Sequence, residues 1–221
     1  MKQFIKTKSF WIVGGDGWAY DIGFGGLDHV LASNENVNIL VLDTEVYSNT
    51  GGQASKSTST ASVAKFAASG KKTAKKDLAK IALSYPNVYV ATISLGANMN
   101  QTIKAMMEAK NHNGPSIIIA YSPCIAHGIV NGLDSIAEEK KATTCGYFPI
   151  FRYNPESGVF TLDSEADFSK YFEFILGEDR FRILKKVNSN EYKELLEKNK
   201  QEALNKYNYY KDLSKKQEDN K

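Results

Sequence analysis

Two short stretches of this 221-residue sequence hold residue types that share a chemistry: Gly14-Gly15-Asp16-Gly17-Trp18, and Asp43-Thr44-Glu45-Val46-Tyr47-Ser48-Asn49-Thr50-Gly51-Gly52-Gln53. The first follows an apolar run and leads into a helical pattern, a setting in which free backbone N–H groups and the helix dipole favour a phosphate. Asp16 is the anomaly in that turn. A carboxylate about 4 Å from a pyrophosphate oxygen is repelled by roughly 1–4 kcal/mol per charge pair, and a bound divalent cation reverses the sign. Magnesium suits the place, because it takes hard oxygen ligands and bridges protein oxygens to substrate phosphates. The second stretch supplies hydroxyl, amide and carbonyl oxygens at the end of the next strand-like run.

Plainer readings compete. A glycine turn after a strand is often a tight corner, with Asp16 capping the following helix. Asp43 could serve as the ribose acid of a dinucleotide site, although a GxGxxG pattern would need glycine at Tyr20. A P-loop over Gly51-Gly52-Gln53-Ala54-Ser55-Lys56-Ser57 has serine where the glycine before lysine belongs.

The elements that must position these loops are visible as alternating patterns. Apolar runs at 10–13, 39–42, 88–93 and 116–121 read as buried strands, and their continuous Ile, Leu and Val content points to a parallel sheet. Between the first two, Ala19, Ile22, Gly23, Gly26, Leu27, Val30 and Leu31 share one helical face, with glycines permitting close approach to the sheet, so a βαβ unit is expected. Further helices are expected at 77–84, at 100–110 and from beyond Leu133 to about Ala142; the second presents Ile103, Met106 and Met107, and its Met pair reads as core filler rather than a cofactor box. Segments 148–153 and 159–162 around 154–158 read as a hairpin.

The 28 Lys plus Arg against 25 Asp plus Glu leave a net charge of +3, too balanced for an electrostatic nucleic-acid binder. A 42% apolar share is enough for a packed core, which excludes disorder for most of the chain. No apolar run reaches the roughly 18 residues of a membrane helix, and residues 1–5 lack a secretion signal, so neither a membrane nor a nucleic-acid partner is expected. Cys124 and Cys145 are the two cysteines, too few for a self-contained zinc or iron–sulfur site. Charge divides the chain: residues 185–221 carry ten Lys against seven acids, and 1–184 are neutral. We therefore expect an α/β domain over 1–184 and a charged helical tail over 185–221 that packs on the domain or a partner, anchored by Tyr192, Leu195, Leu196, Leu204, Tyr207 and Leu213, with 214–221 frayed.

The motif Gly15-Asp16-Gly17-Trp18-Ala19-Tyr20-Asp21-Ile22-Gly23, followed by Gly25-Gly26-Leu27-Asp28-His29 and by Asn49-Thr50-Gly51-Gly52-Gln53, closely resembles pyruvate:ferredoxin (flavodoxin) oxidoreductase in its carboxyl-terminal thiamine diphosphate domain. The likeness runs on through 64–76, 121–128 and 151–155 and covers nearly the whole chain from about Ser9. It implies the thiamine-diphosphate-binding fold: a mainly parallel sheet flanked by helices, with a small β-hairpin and a helical carboxyl-terminal extension. It places Gly15, Asp16, Gly17 and Trp18 around the diphosphate, with Thr44, Glu45, Val46, Tyr47, Ser48 and Asn49 completing the cofactor loop. The metal would be held by the Asp16 carboxylate, the Thr44 hydroxyl and the Val46 carbonyl, and Asn49 would be the catalytic amide facing the developing oxyanion of the 2-oxo acid.

The resemblance further implies oxidative decarboxylation of pyruvate to acetyl-CoA and carbon dioxide. Electrons would pass through iron–sulfur clusters to ferredoxin or flavodoxin, and the complete enzyme would be a homodimer, cytoplasmic or in an anaerobic organelle. Cys124 follows the strand after which the family places one thiolate of a [4Fe-4S] cluster; the other ligands would come from upstream or partner sequence. Cys145 matches no ligand and reads as structural, and His29 and His127 read as makers of local hydrogen bonds. Ser59 stands where the family pattern has proline, a change in loop stiffness. The carboxylate that activates the aminopyrimidine, the coenzyme A region and the other clusters have no counterpart among these 221 residues, so the chain alone is expected to be inactive or nearly so. Apolar groups around Trp18, Tyr47 and Ile125 would then be exposed. Two alternatives stay open: the corresponding portion of another 2-oxo acid:acceptor or pyruvate:NADP oxidoreductase, and a non-catalytic cofactor-binding fragment.

Overall fold

The computed structural model describes residues 8–129 and 134–215. In chain order the elements are β1 (Phe10–Gly15), a π-helical turn (Gly17–Ile22), α1 (Phe24–Ala32), β2 (Val37–Asp43), the short strands β3 (Val46–Tyr47) and β4 (Gln53–Ala54), and α2 (Leu78–Ala82). Then come β5 (Tyr89–Ile93), α3 (Met99–Asn111), β6 (Ser116–Tyr121), a 3₁₀ turn (Ile125–His127), α4 (Ser135–Thr144), β7 (Phe151–Asn154) and β8 (Val159–Leu162). Past a further 3₁₀ turn (Phe168–Lys170), the helices α5 (Tyr171–Ile175), α6 (Asp179–Arg182), α7 (Leu184–Val187) and α8 (Tyr192–Lys215) complete the described chain.

Six strands form one sheet in the order β1-β2-β6-β5-β7-β8. The first four are mutually parallel, and the β7–β8 hairpin adds antiparallel to β5, with Asn154 opposite Val159 at its turn. The sheet carries two apolar clusters. Leu27 and Leu31 of α1 pack with Ile39, Val41, Ile117 and Ile119, whereas Ala105 and Ala109 of α3 pack with Ala91, Ile93 and Ile118. Strand side chains alternate between faces, so α1 and α3 lie on opposite sides. The βαβ units β1-α1-β2 and β5-α3-β6 run in opposite directions across the sheet and meet between β2 and β6. That makes a topological switch point, with the carboxyl ends of β1, β2 and β6 side by side.

The expected helical face between β1 and β2 is corrected by this arrangement. The helix breaks at Gly23 into a π-turn and α1, Ile22 is 84% exposed, and Gly26 has open space where a Cβ would stand. Only Ala19, Leu27 and Leu31 of the expected face are buried. On α3, Met106 packs against the second cluster, but Ile103 and Met107 are more than half exposed; a 13-residue helix with one face on the sheet cannot bury all three. Strand β7 starts at Phe151 rather than 148, because Pro149 has no N–H to give a ladder. Its carbonyl instead accepts from the Thr92 hydroxyl at 2.9 Å.

Helix α8 lies on the body of the protein: Leu195, Leu196 and Tyr210 belong to the larger core cluster. The Tyr210 ring stands 4.4 Å from that of Phe151, and its hydroxyl donates to Asp77 at 2.7 Å. Ser214 and Lys215 of the expected frayed end are helical, and 216–221 lie outside the described residues, as does Leu133. Among the described residues no helix is long and apolar enough to cross a membrane.

Candidate functional site

The glycine turn and the second loop meet at the switch point. Asp16 Oδ1 accepts from the Thr44 hydroxyl at 2.8 Å, and the Thr44 Oγ1 lies 3.0 Å from the Val46 carbonyl oxygen. A threonine hydroxyl has one hydrogen and cannot donate to both, so this oxygen cluster is rich in acceptors. Adjacent oxygens on an octahedral magnesium with bonds of about 2.0–2.1 Å stand about 2.9 Å apart. The Thr44 hydroxyl is therefore spaced from the Asp16 carboxylate and from the Val46 carbonyl as neighbouring positions of that octahedron would be, and these residue types suit such an ion. No group of three or more His, Cys, Asp or Glu suited to a metal occurs among the described residues; one carboxylate with neutral oxygens is a donor set that would suit a hard cation.

The backbone bends sharply to bring these oxygens together. Glu45 adopts a left-handed conformation, φ 57°, which is strained for a side chain of this size. It persists because the carboxylate is held from several sides: Lys75 Nζ at 2.7 Å, Arg180 Nη1 at 2.7 Å and the Tyr147 hydroxyl at 2.7 Å. Burial would push the pKa of this group up, but Lys75 and Arg180 overcome that and hold it well below the usual carboxylate range. Expected as part of the cofactor loop, Glu45 turns its fully buried side chain into the protein; its contribution is the bend between Thr44 and Val46.

Beneath the two loops runs a comb of hydroxyls over 55–60. Ser55 donates to Asp16 Oδ2 at 2.5 Å, Ser57 to Asp43 Oδ1 at 2.5 Å and Thr58 to the Glu45 carbonyl at 2.5 Å; Ser59 meets the Tyr147 hydroxyl at 2.8 Å. Asp43 also binds Lys75 at 2.7 Å and the Tyr20 hydroxyl at 3.0 Å and is wholly buried. No ribose can reach it, which removes the dinucleotide reading. The P-loop reading fails too, because 51–57 runs through the short strand β4 with no helix after it. Asp16 is 1% exposed, and burial, with Asp43 adding to it, pushes its carboxyl up to about 6. An acid so placed gains most from a nearby cation.

The remaining expected residues divide into two sets. Gly17 is buried under Tyr47, where a Cβ would come within 2.3 Å of the ring, so only glycine fits. Tyr47 donates to Asp21 at 2.9 Å, and the Trp18 indole is wedged between Gly14 and Gly23. The expected exposed apolar group is present in part: Trp18 and Tyr47 are half-buried, while Ile22 and Ile125 are open, at 84% and 81%. Gly15, Ser48 and Asn49 are exposed on the rim, and Ser48 donates to Thr44 Oγ1 at 2.9 Å. Cys124 is half-buried at the end of β6, beside the same switch point. Cys145 is buried, accordingly pushed up to about 12, and points its thiol at the Ala142 carbonyl.

Sequence reasoning missed Ser55, Lys75, Glu178 and Arg180. Buried charges this far apart in the chain leave no local spacing to read, although a comb of six hydroxyl and lysine residues over 55–60 was a visible oddity. His127, expected to bond locally, instead reaches the Thr44 carbonyl at 2.9 Å. His29 is exposed on α1.

Comparison with known proteins agrees with this geometry. Residues 3–120, more than half of the chain, match the family described as "Thiamine pyrophosphate enzyme, C-terminal TPP binding domain". Pyruvate:ferredoxin oxidoreductase of Moorella thermoacetica is 52% identical over 218 residues, 96% of this chain and 18% of that protein. Pyruvate-flavodoxin oxidoreductase of Klebsiella pneumoniae is 49% identical over 219 residues, 96% of this chain and 19% of that protein. The mitochondrial pyruvate dehydrogenase [NADP(+)] of Euglena gracilis is 53% identical over 194 residues, 85% of this chain and 11% of that protein. The chain thus spans under a fifth of the length of these curated relatives. Among solved structures, 2-oxoglutarate:ferredoxin oxidoreductase from Magnetococcus marinus superposes with a TM-score of 0.50 at 25% identity, over 55% of this chain and 42% of that one. The oxygen-rich cluster at the switch point and the family match coincide in one stretch of sequence, and the chain belongs to the thiamine pyrophosphate enzymes, as their C-terminal TPP-binding domain.

Proposed function

We propose that this chain provides the magnesium and diphosphate side of the thiamine site in a pyruvate:ferredoxin or pyruvate:flavodoxin oxidoreductase. The single observation that carries this reading is the spacing of Asp16 Oδ1, Thr44 Oγ1 and Val46 O, 2.8 and 3.0 Å, at the carboxyl ends of two adjacent parallel strands. Asp16, Thr44 and Val46 would hold the ion, and the ion would offset the repulsion between Asp16 and the diphosphate. The glycine turn ahead of the helical turn is where backbone N–H groups would suit phosphate oxygens. When bound, thiamine diphosphate supplies a carbanion-forming centre and an electron sink for 2-oxo acid decarboxylation.

Asn49, exposed on the rim, offers a neutral amide donor suited to a developing oxyanion without repelling a carboxylate substrate. The Cys124 thiol, at the end of β6, suits one ligand of a [4Fe-4S] cluster whose remaining thiolates come from elsewhere. Pyruvate and coenzyme A as substrates, ferredoxin or flavodoxin as acceptor, the other portions of the oxidoreductase and a homodimeric whole are parts of the same proposal. Relatives named for ferredoxin, flavodoxin and NADP+ share this portion at similar identity, so the acceptor is selected outside it.

Calorimetry of the 221-residue chain with magnesium and thiamine diphosphate tests the reading. The wild type is expected to bind only with both present, and Asp16→Ala to lose at least 100-fold in affinity while circular dichroism stays unchanged. Equal affinity in the variant refutes the assignment.

A further inference from the structure

The loop between β2 and β3 and the turn after β6 leave the sheet on either side of the switch point, where a crevice would open if nothing joined them. Here they are joined twice. The Ser122 N–H donates to the Asp43 carbonyl at 3.1 Å, and His127 Nε2 lies 2.9 Å from the Thr44 carbonyl oxygen. A carbonyl can only accept, so Nε2 carries the proton of that bond. The ring is fully buried, and its other nitrogen is 3.4 Å from Glu178 Oε1. Behind it, Arg180 Nε binds Glu178 Oε2 at 2.6 Å while Arg180 Nη1 reaches Glu45 at 2.7 Å. Thr44, His127, Glu178, Arg180 and Glu45 thus form one buried group, in which His127 Nδ1 and Arg180 Nη1 lie close to Glu178 and Glu45 without an aligned hydrogen bond.

His127 is also the last residue of the 3₁₀ turn that Cys124 caps through its own sulfur, which accepts from the Ala126 N–H at 3.4 Å. Gly128 follows with φ 64°, and a Cβ there would meet Asp179 at 2.6 Å, so the turn is seated against α6 with little room to shift. A displacement of the Thr44 backbone must therefore be taken up by His127, and through it by the Cys124 turn.

Resting on the magnesium–thiamine diphosphate reading, we infer that His127 is a positioning residue that locks the Thr44–Val46 metal loop to the Cys124 turn, so that filling the metal side is felt at the Cys124 thiol. It is no metal ligand, since Nε2 is taken up by the Thr44 carbonyl and Nδ1 is fully buried on the Glu178 side. Its role is to fix the Thr44 carbonyl and so the direction of the hydroxyl on the same residue.

The test is the alkylation rate of Cys124 by iodoacetamide in the 221-residue chain, with and without saturating magnesium and thiamine diphosphate, beside the calorimetric affinity. Cys145 is 1% exposed, so the reactive thiol in the folded chain is Cys124. In the wild type the ligand is expected to slow alkylation at least threefold. In His127→Ala the affinity is expected to fall about tenfold, and the ligand effect on alkylation to vanish even at saturation; His127→Gln, which keeps a donor, restores part of both. Direct shielding of the thiol by ligand would survive in His127→Ala, and that result overturns the inference, as does an unchanged rate in a wild type that binds. Should His127→Ala fail to fold, His127→Gln decides: a ligand effect smaller than wild type supports the inference and an equal one overturns it. A wild type that does not bind refutes the underlying reading instead.

Discussion

The floor of the site and its rim are built on opposite terms. On the floor Asp16, Asp43 and Glu45 are buried, each held by two or more hydroxyl or cationic partners. On the rim, Ser48, Asn49 and Ile125 face outwards. In the proposed function the floor would present a fixed set of oxygens to a small ion that tolerates little deviation from octahedral geometry. Its charges were taken out of water during folding, and partners had to be supplied at that stage. Groups on the rim have no such requirement; they are free to be completed by whatever binds over them. Preorganisation and openness are thus divided between two sets of residues rather than shared by one.

If the floor is as tightly interlocked as this, breaking one buried ion pair should be the severest change. Arg180→Met removes the guanidinium between Glu45 and Glu178 and leaves two buried carboxylates short of a partner. The expected loss is about 3–5 kcal/mol in unfolding free energy, read by urea denaturation. A loss under about 1 kcal/mol would mean that water reaches these acids and the floor is not closed.

Next in size is a change that should stabilise. In the ligand-free chain the Asp16 carboxyl sits at about 6 against an ordinary 3.8. Its raised value means the folded state prefers the neutral acid: that contribution is complete below about 3.8 and lost as pH rises through about 6. At pH 8 the ionised group then costs at most about 3 kcal/mol. Asp16→Asn is expected to raise the ligand-free midpoint of urea unfolding at pH 8 and to have little effect at pH 3.5, while eliminating magnesium-dependent binding. The wild type's affinity for magnesium should fall below about pH 6. A variant equally destabilised at both pH values would show that the residue serves the fold and not the ion.

The fold was legible because its signals are local. The run Ser116–Tyr121 stays apolar since both faces of a parallel sheet are covered there, whereas the run at 10–13, expected to be buried, forms the edge strand with Phe10 and Val13 more than half exposed; the Gly15-Asp16-Gly17 turn reads directly as an anion site with a charge conflict. What could not be read was long-range satisfaction. Ser55 is 39 residues from the Asp16 it bonds, and Arg180 is 135 from Glu45; no periodicity links such pairs. The glycine-bearing helix was misread for a different reason. Trp18 packs back on Gly23, whose N–H donates to the Trp18 carbonyl at 2.8 Å, and this five-residue turn shifts a face that 3.6-residue spacing would have continued. Tyr210, buried against Phe151, was omitted from the tail's anchors although it extends the spacing of Tyr207 by three residues.

Ser59 gives a smaller effect at the edge of the floor. Expected to matter through loop stiffness, it also places its hydroxyl 2.8 Å from that of Tyr147, which in turn binds Glu45. Ser59→Ala should lower stability by about 1 kcal/mol. It should weaken magnesium–thiamine diphosphate binding by no more than threefold, because Lys75 and Arg180 still hold Glu45. A tenfold loss would mean that Tyr147, rather than the two cations, sets the bend at Glu45.

The smallest effect is expected on the rim, and it is the sharpest check on the division. Asn49 is exposed and lies three residues beyond Val46, outside the web of short bonds that fixes the metal oxygens. Exposed substitutions away from caps and buried networks change stability by about 0.5 kcal/mol or less. Asn49→Ala in the 221-residue chain should therefore leave the urea midpoint unmoved and the calorimetric affinity within twofold of wild type, whatever it does to turnover in a complete enzyme. If affinity falls tenfold, the amide holds the cofactor and not an oxyanion, and the boundary between floor and rim must be redrawn on the far side of residue 49.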